Sequence, residues 1–269
     1  MSKGSLTFIG LGLYDEKDVS LKGLDEIKRS DKVYAEFYTA KLTGTNKEKI
    51  KKNIGKNIEL LSRVETEKGD KVISSALREN VIFLTCGDPM VATTHVDLRL
   101  RALKKGIKTR IIHGSSIVTA VPGLLGLQNY KFGRTTTLAY PEKDYFPTSP
   151  YDVIKDNKKM GLHTLILLDI QAGSNRYMTA NEGMRLLLEI EEKRGKKIFN
   201  NDSIICVVTR AGSNKPIVAA GTFKNMINKN FGLPLHTLVV PGKLHFMEVE
   251  ALEKLAQLPA QQVRKLQKL

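Results

Sequence analysis

Residues 81–89 read Val-Ile-Phe-Leu-Thr-Cys-Gly-Asp-Pro, an apolar run that leads directly into a Gly-Asp-Pro turn. A short apolar run bounded by a turn predicts a buried strand, and ligands of open parallel sheets bind beyond the carboxyl ends of the strands. Gly87 would let a ligand approach the backbone closely, and Asp88 would offer it a carboxylate. The same residues also fit a helix start, with Asp88 as the N-cap and Pro89 at the first helical position. The turn therefore indicates a ligand loop, a helix start or both.

Four other apolar runs accompany this strand in the first part of the chain, at residues 6–9, 33–37, 58–61 and 110–112. Segments with helical periodicity lie between several of them. The apolar stripes of two such segments are Leu21, Leu24 and Ile27 behind Ser20, and Val96, Leu100 and Leu103 before Gly106. Strands that alternate with helices predict a parallel sheet.

A second series of apolar runs follows at residues 135–139, 164–168, 204–208, 217–219 and 237–240. Thr179 and Glu182 fit a capping box at the start of the longest helix of this part. Its apolar positions are Met184, Leu187, Leu188 and Ile190. A last helix is predicted over residues 246–258, with Val249, Leu252 and Leu255 facing inward. Pro259 should stop it, and the basic tail beyond is expected to fray.

These two series predict two tandem α/β domains rather than one continuous sheet. The expected boundary follows His113. Residues 1–113 would form an N-terminal α/β domain with a parallel sheet and the Gly-Asp-Pro loop, and residues 114–269 a C-terminal α/β domain with a mixed sheet. A ligand that uses loops of both domains would lie in the cleft between them.

The composition limits the compartment and the partners. The chain has 269 residues and a formal net charge of +15, which would attract nucleic acid, an acidic protein or anionic lipid. Its basic residues are mostly scattered lysines, which favours a solvated surface over a dedicated nucleic-acid site. Cys86 and Cys206 are the two cysteines and lie beside apolar residues, as expected of a protein in the reducing environment of the cytoplasm. No apolar stretch approaches the length of a membrane span, and no zinc-ligand spacing occurs, so we expect neither a membrane association nor a metal.

A glycine pair near the amino terminus resembles part of a dinucleotide fingerprint. Gly10 and Gly12 follow the first apolar run, but the third glycine of that fingerprint would fall on Asp15, which argues against NAD binding. The glycine pair still predicts a strand that ends in glycines, at which a ligand could lie close to the main chain. Four further loops follow predicted strands or precede them, at residues 114–117, 168–171, 209–213 and 235–236.

An ordered set of motifs covers nearly the whole chain. They are FIGLGLY at 8–14, AEFYT at 35–39, GDP at 87–89 with VATTH at 91–95, YKFG at 130–133, YPE at 140–142, GLHT at 161–164, MTANE at 178–182 and VPGKLH at 240–245. In this set the chain resembles the archaeal-type diphthine synthases, which belong to the tetrapyrrole-methylase-like class of S-adenosylmethionine-dependent methyltransferases. The segment VPGL at 121–124 departs from the pattern by one additional residue.

The resemblance implies an enzyme of diphthamide biosynthesis that methylates translation elongation factor 2. The acceptor would be the amino group of an aminocarboxypropyl side chain on a modified histidine, taken to the trimethylammonium product in archaea. The methyl donor would be S-adenosyl-L-methionine and the product S-adenosyl-L-homocysteine. Carried over by position, the cofactor contacts would be Leu13, Asp88, Val91, Ser116, Ile117, Leu168, Ala211 and His236. The family also forms homodimers.

Methyl transfer from a sulfonium needs alignment more than proton transfer, so no catalytic base is assigned. His95, His113 and His163 are read as structural residues, and only His236 gains a cofactor role from the resemblance. Cys86 is read as a small buried residue. The alternative function is an RNA-binding or RNA-modifying protein that uses the same positive charge on phosphates, although no stable nucleic-acid partner is expected.

Overall fold

A computed structural model describes residues 4–143 and 145–267 of the chain. The protein divides into two compact units. The first unit extends to Ile117 and includes Gln171–Asn175, and the second contains Val118–Ile170 and the chain from Arg176 onward. In the described part, each unit holds one five-stranded sheet, which confirms the prediction of two α/β units. The domain boundary after residue 113 stays a prediction.

The first unit alternates strands and helices. Its elements are β1 (Ser5–Gly10), α1 (Leu21–Arg29), β2 (Lys32–Glu36), α2 (Lys47–Ile54), β3 (Glu59–Leu60), α3 (Arg63–Lys68), α4 (Asp70–Ala76), β4 (Asn80–Thr85), α5 (His95–Lys104) and β5 (Lys108–Ile112). The sheet order is β3-β2-β4-β1-β5 and every pairing is parallel, as predicted. In this register Gly10 and Glu36 both lie opposite Thr85, so the carboxyl ends of β1, β2 and β4 share one edge.

The apolar stripe predicted for α5 is wrong. Val96, Leu100 and Leu103 are exposed, whereas His95, Leu98 and Ala102 form the buried face. On α1 the Ser20 cap is confirmed, because its side chain accepts a hydrogen bond from the Gly23 amide, but Leu21 is exposed.

The second unit carries the mixed sheet. Its elements are α6 (Ile117–Leu125), which begins at the division, β6 (Thr136–Leu138), α7 (Ser149–Lys159), β7 (Thr164–Leu168), β8 (Ile170–Gln171), whose second residue is grouped with the first unit, β9 (Arg176–Tyr177), α8 (Ala180–Arg194), β10 (Ile204–Thr209), β11 (Ile217–Thr222), α9 (Phe223–Met226), β12 (His236–Val240), α10 (Phe246–Ala256) and α11 (Ala260–Gln267). The sheet order is β11-β10-β12-β7-β6, in which β6 and β7 are parallel and the other neighbours antiparallel. A mixed sheet is therefore confirmed.

The helices of the second unit confirm one prediction and correct another. Thr179 and Glu182 form the predicted capping box of α8, whose buried face includes Met184, Leu187 and Ile190. Within the described residues, the segment after Pro259, which was predicted to fray, forms α11, since the Pro259 carbonyl accepts hydrogen bonds from the next turn and Val263 is buried. Leu255 of α10, predicted to face inward, is exposed.

None of the helices within residues 4–143 and 145–267 is both long enough and apolar enough to cross a membrane.

Candidate cofactor site

Three strand ends of the first unit meet at glycines. A Cβ atom on Gly10 would lie 2.4 Å from the Gly87 carbonyl oxygen and 2.6 Å from the Gly114 nitrogen, so no larger residue fits there. Gly12 and Gly87 exchange backbone hydrogen bonds of 3.3 and 2.6 Å, and both have positive φ angles, of 78° and 69°. The loops after β1, β4 and β5 are thus held backbone to backbone. Gly87, where a Cβ would meet no atom within 4 Å, leaves open space in which a ligand can approach the main chain.

Asp88 connects the loop after β4 to the loop after β5. Its carboxylate is 6% exposed; Oδ1 accepts a hydrogen bond of 2.9 Å from the Met90 amide, and Oδ2 lies 2.7 Å from Nδ1 of His113. The helix-start interpretation of this turn is wrong. Helix α5 begins at His95, six residues after Pro89. Between them, Ala92 has a left-handed backbone with φ of 54°, which is incompatible with a continuous right-handed helix. Asp88 instead stabilises a turn in its own loop, because its carboxylate accepts the hydrogen bond from the Met90 amide two residues later.

Leu13 lies in a loop that Asp18 organises. The Asp18 Oδ2 atom accepts hydrogen bonds from the amides of Leu13 and Tyr14, at 3.1 and 2.7 Å. A carboxylate that binds successive amides fixes the path of the loop after Gly12. Sequence reasoning missed Asp18; the signal was an Asp a few residues after a glycine pair, which is typical of a turn.

The remaining predicted contacts of the first unit lie close to these loops in sequence. Val91 is half-buried and follows the Asp88 turn, whereas Ser116 is buried and Ile117 half-buried at the start of α6. The structure therefore places four of the eight predicted residues in the loops after β1, β4 and β5, and a fifth, Ile117, at the first position of α6.

A buried polar group lies behind the Asp88 turn. Glu36 ends β2 and accepts a 2.6 Å hydrogen bond from the Thr39 hydroxyl. The Nδ1 atom of His95 lies 3.1 Å from the Pro89 carbonyl oxygen, and its Nε2 atom is 3.6 Å from Glu36. Burial lowers the pKa of His95, and the Glu36 carboxylate opposes that shift. His95 thus supports the turn from the inside, which confirms its structural interpretation.

Cys86 is buried beside the same turn. Burial raises the pKa of its thiol, so the sulfur is held in the unreactive protonated form. The prediction that Cys86 is a small buried residue is confirmed.

The structure brings the three predicted residues of the second unit to one edge of its sheet. Thr209 at the end of β10 lies opposite His236 at the start of β12, and Thr237 lies opposite Leu167 of β7. Leu168 therefore ends β7 at the same edge, and Ala211 lies two residues beyond β10.

His236 has no free ring nitrogen. Its Nδ1 accepts a 3.0 Å hydrogen bond from the Ala180 amide at the start of α8, so its Nε2, 3.1 Å from the Leu233 carbonyl oxygen, carries the proton and donates. Burial lowers the pKa of His236, and the nearby Arg210 cation lowers it further. The ring is neutral, caps α8, and can offer a ligand its carbon edge and its main chain.

The described residues contain no cluster of three or more His, Cys, Asp or Glu side chains suited to hold a metal ion.

Comparisons with known proteins agree on one family. Residues 5–227 match the model of the tetrapyrrole (corrin/porphyrin) methylases. The chain is 55% identical over 251 residues to the diphthine synthase of Methanococcus maripaludis, covering 93% of this chain and 98% of that protein. It is 54% identical over 255 residues to the diphthine synthase of Methanocaldococcus jannaschii, covering 94% and 99%. A crystal structure of diphthine synthase matches with a TM-score of 0.88 and 40% identity over 96% of this chain and 98% of that one.

Proposed function

Because this chain belongs to the tetrapyrrole methylase family, and within it to the diphthine synthases, we propose that it methylates translation elongation factor 2 in diphthamide biosynthesis. S-adenosyl-L-methionine is the methyl donor. The acceptor is the amino group of the aminocarboxypropyl side chain on a modified histidine, and the methylated product is diphthine.

The observation that carries this proposal is 55% identity over 98% of the length of a diphthine synthase. Identity of that extent spans both units. A glycine pair or a Gly-Asp-Pro turn alone would support the broad methylase class and no particular acceptor.

We assign the cofactor contacts unit by unit. In the first unit they are Leu13, Asp88, Val91, Ser116 and Ile117, and in the second Leu168, Ala211 and His236. The open space beside Gly87 supports this assignment, because a Cβ there would meet no atom within 4 Å, while the close backbone contacts of Gly10 and Gly114 hold the loop in place. The buried Thr85 hydroxyl supports it too, since it has no partner among the described residues at the end of β4. When bound, the cofactor supplies an activated methyl group.

The protein's contribution to the reaction is alignment. Holding donor and acceptor atoms about 3–3.5 Å apart in line is worth roughly 7–11 kcal/mol, which makes a dedicated base unnecessary. An α-amino group with a pKa of about 8 is already neutral in about one molecule in ten at pH 7, and a dry site raises that fraction. Asp88, whose carboxylate is fixed by the Met90 amide and His113, is the polar anchor of the donor.

The partner is elongation factor 2, and the net charge of +15 favours its encounter with an acidic face of that protein. A homodimer and a cytoplasmic location belong to the same proposal.

The decisive experiment is methyl transfer to purified elongation factor 2 that carries the aminocarboxypropyl intermediate. Label from the methyl group of S-adenosylmethionine should appear on this modified factor. A control factor whose histidine is unmodified should take up no label. Label on RNA or on a tetrapyrrole, with none on the factor, would overturn the proposal. Affinity for bare RNA that falls steeply with salt would favour the RNA-binding alternative.

A further inference from the structure

The last residue of β10 and the turn that follows it carry three buried polar side-chain atoms without a partner. They are Oγ1 of Thr209, Nε of Arg210 and Oγ of Ser213, none of which is hydrogen-bonded to a described residue. Thr209 is completely buried. Buried polar atoms in native proteins are almost always satisfied, so a run of three in five residues indicates that something else binds there.

The backbone holds Arg210 in one place. Its amide donates a 2.9 Å hydrogen bond to the Leu235 carbonyl, and its own carbonyl accepts one of 2.8 Å from the Ser213 amide. Its φ of 48° is left-handed, a conformation that a residue with a side chain adopts only where the surroundings require it. One terminal nitrogen of the guanidinium lies 3.6 Å from the position that a Cβ on Gly232 would take, so the side chain extends along the loop before β12.

The charge of Arg210 is not neutralised within the described structure. Two other arginines of the second unit have side-chain partners: Arg194 pairs with Asp152, and Arg185 donates to Asn228. Arg210 makes no ion pair or side-chain hydrogen bond with any residue in the described ranges, and the nearby His236 ring is neutral. Because a partly buried charge is costly unless it is paired, this half-buried guanidinium favours the binding of an anion.

We propose that Arg210, with the hydroxyls of Thr209 and Ser213, binds the carboxylate of an α-amino acid group. This inference rests on the proposed function. A guanidinium fork matches the two oxygens of a carboxylate, and hydroxyl donors satisfy its remaining lone pairs. The turn also contains Ala211, which is assigned to the cofactor.

The charges of the two reactants favour such a pairing. The methyl donor is a cationic sulfonium, and an unpaired guanidinium near it would oppose its binding. Both reactants carry an α-amino acid carboxylate, one on the methionyl part of the donor and one on the aminocarboxypropyl group of the acceptor. Arg210 paired with either carboxylate is neutralised.

The test compares Arg210→Gln and Arg210→Lys with the control Arg185→Gln, which removes the same charge from an exposed position on α8. Calorimetry measures binding of S-adenosylhomocysteine and of methylthioadenosine, which lacks the amino acid part. Steady-state kinetics measures KM for the acceptor protein. Thermal unfolding checks that each variant is folded.

If the donor carboxylate is the ligand, Arg210→Gln weakens S-adenosylhomocysteine binding by about tenfold or more and changes methylthioadenosine binding by less than about twofold. If the acceptor carboxylate is the ligand, both affinities stay and the acceptor KM rises about tenfold or more. Arg210→Lys should recover part of either loss, because it keeps the charge and not the fork.

Equal losses for the two nucleosides, or no change in any measurement, would overturn the carboxylate site. These outcomes are separate from a failure of the proposed function. If wild-type protein transfers no methyl group to the elongation factor, the acceptor is wrong, and the calorimetry still reports on the donor carboxylate.

Discussion

Asp88 is the residue on which the first-unit site depends, and its removal is the most direct test of that site. We expect Asp88→Ala to weaken binding of S-adenosylhomocysteine about tenfold or more, because the turn loses its link to His113 and the cofactor loses its anchor. Calorimetry measures the effect, and the circular dichroism spectrum should not change. Asp97→Ala is the matched control, since it removes an exposed carboxylate of the same unit that pairs with Arg101. Unchanged affinity in Asp88→Ala would remove Asp88 from the site.

Gly10 gives a prediction about stability at the same scale. A Cβ there would lie 2.4 Å from a backbone oxygen and 2.6 Å from a backbone nitrogen, atoms that cannot move without separating the strand ends. Gly10→Ala should therefore lower the free energy of unfolding by about 1–3 kcal/mol or more, as measured in urea. Gly123→Ala is the control, because a Cβ on that residue of α6 meets nothing within 4 Å. It should be neutral or stabilise by up to about 1 kcal/mol. Equal stability of both variants would contradict the close approach of the three loops.

Some site residues could be read from the sequence and others could not. Gly10, Gly87 and Asp88 follow apolar runs directly, so their place at strand ends was predictable from local order. The roles of Asp18 and Arg210 depend on partners. Asp18 was missed because the backbone amides that donate to its carboxylate are known only once the loop is folded. That the Arg210 Nε atom has no partner is known only when all the residues around it are placed.

At the scale of elements, helix and strand positions follow from periodicity, whereas the buried face of a helix does not always. On α5 the exposed stripe of Val96, Leu100 and Leu103 is spaced as regularly as the buried one. The buried face includes His95, whose ring packs edge-on against Phe83 with centroids 5.0 Å apart and bonds the Pro89 carbonyl. A polar residue that packs in the core is invisible to a hydrophobicity pattern. Helix α10 ends at Ala256, before Pro259, as predicted, but a new helix follows, since proline is compatible with the start of a helix as well as with its end.

The capping box of α8 is the element-level prediction that can be measured. Thr179 accepts a 3.2 Å hydrogen bond from the Glu182 amide, and Glu182 accepts one of 2.8 Å from the Thr179 amide. Thr179→Ala should lower the free energy of unfolding by about 1 kcal/mol, because it leaves an amide of the first turn without its acceptor. Thr179→Ser keeps the oxygen at a position where serine caps at least as well as threonine, so it should change the free energy of unfolding by less than about 0.5 kcal/mol. If the alanine and serine variants unfold at the same urea concentration, the cap contributes nothing.

At the scale of the whole molecule, several buried titratable groups make the protein sensitive to acid. In the second unit, Oε1 of Glu248 accepts hydrogen bonds of 2.9 Å from the Gln128 amide and from Nε2 of His163, and Oε2 accepts from the His245 amide and from Lys131. Burial raises the pKa of Glu248, but these hydrogen bonds outweigh burial and lower its pKa to about 2. Burial lowers the pKa of His163, and a 2.9 Å hydrogen bond from the Gly242 amide occupies the other nitrogen of that ring.

The pKa shifts of Glu248 and of three buried histidines all act in one direction. His95, His163 and His236 have pKa values lowered chiefly by burial, so below pH 6.5 the unfolded chain binds protons that the folded chain excludes. Their contribution to stability is complete above pH 6.5 and is lost as the pH falls through the folded-state pKa values. The contribution of Glu248 is complete above its ordinary pKa of 4.5 and is lost as the pH falls towards 2.

We therefore expect the free energy of unfolding to fall from pH 7.5 to pH 5, and to fall again below pH 4.5. Each proton taken up on unfolding contributes about 1.4 kcal/mol per pH unit. Urea unfolding at fixed ionic strength measures both steps.

The control for surface charge is salt. The net charge of +15 becomes more positive in acid, and the repulsion between surface charges grows with it, so the series is repeated at higher salt, which screens surface repulsion but not the buried groups. A Glu248→Gln variant should be less stable at pH 7.5 but should lose the step below pH 4.5, since the amide cannot titrate. Stability that is flat from pH 7.5 to pH 5, or that depends on pH only at low salt, would mean that surface charge rather than the buried groups sets the acid limit of this molecule.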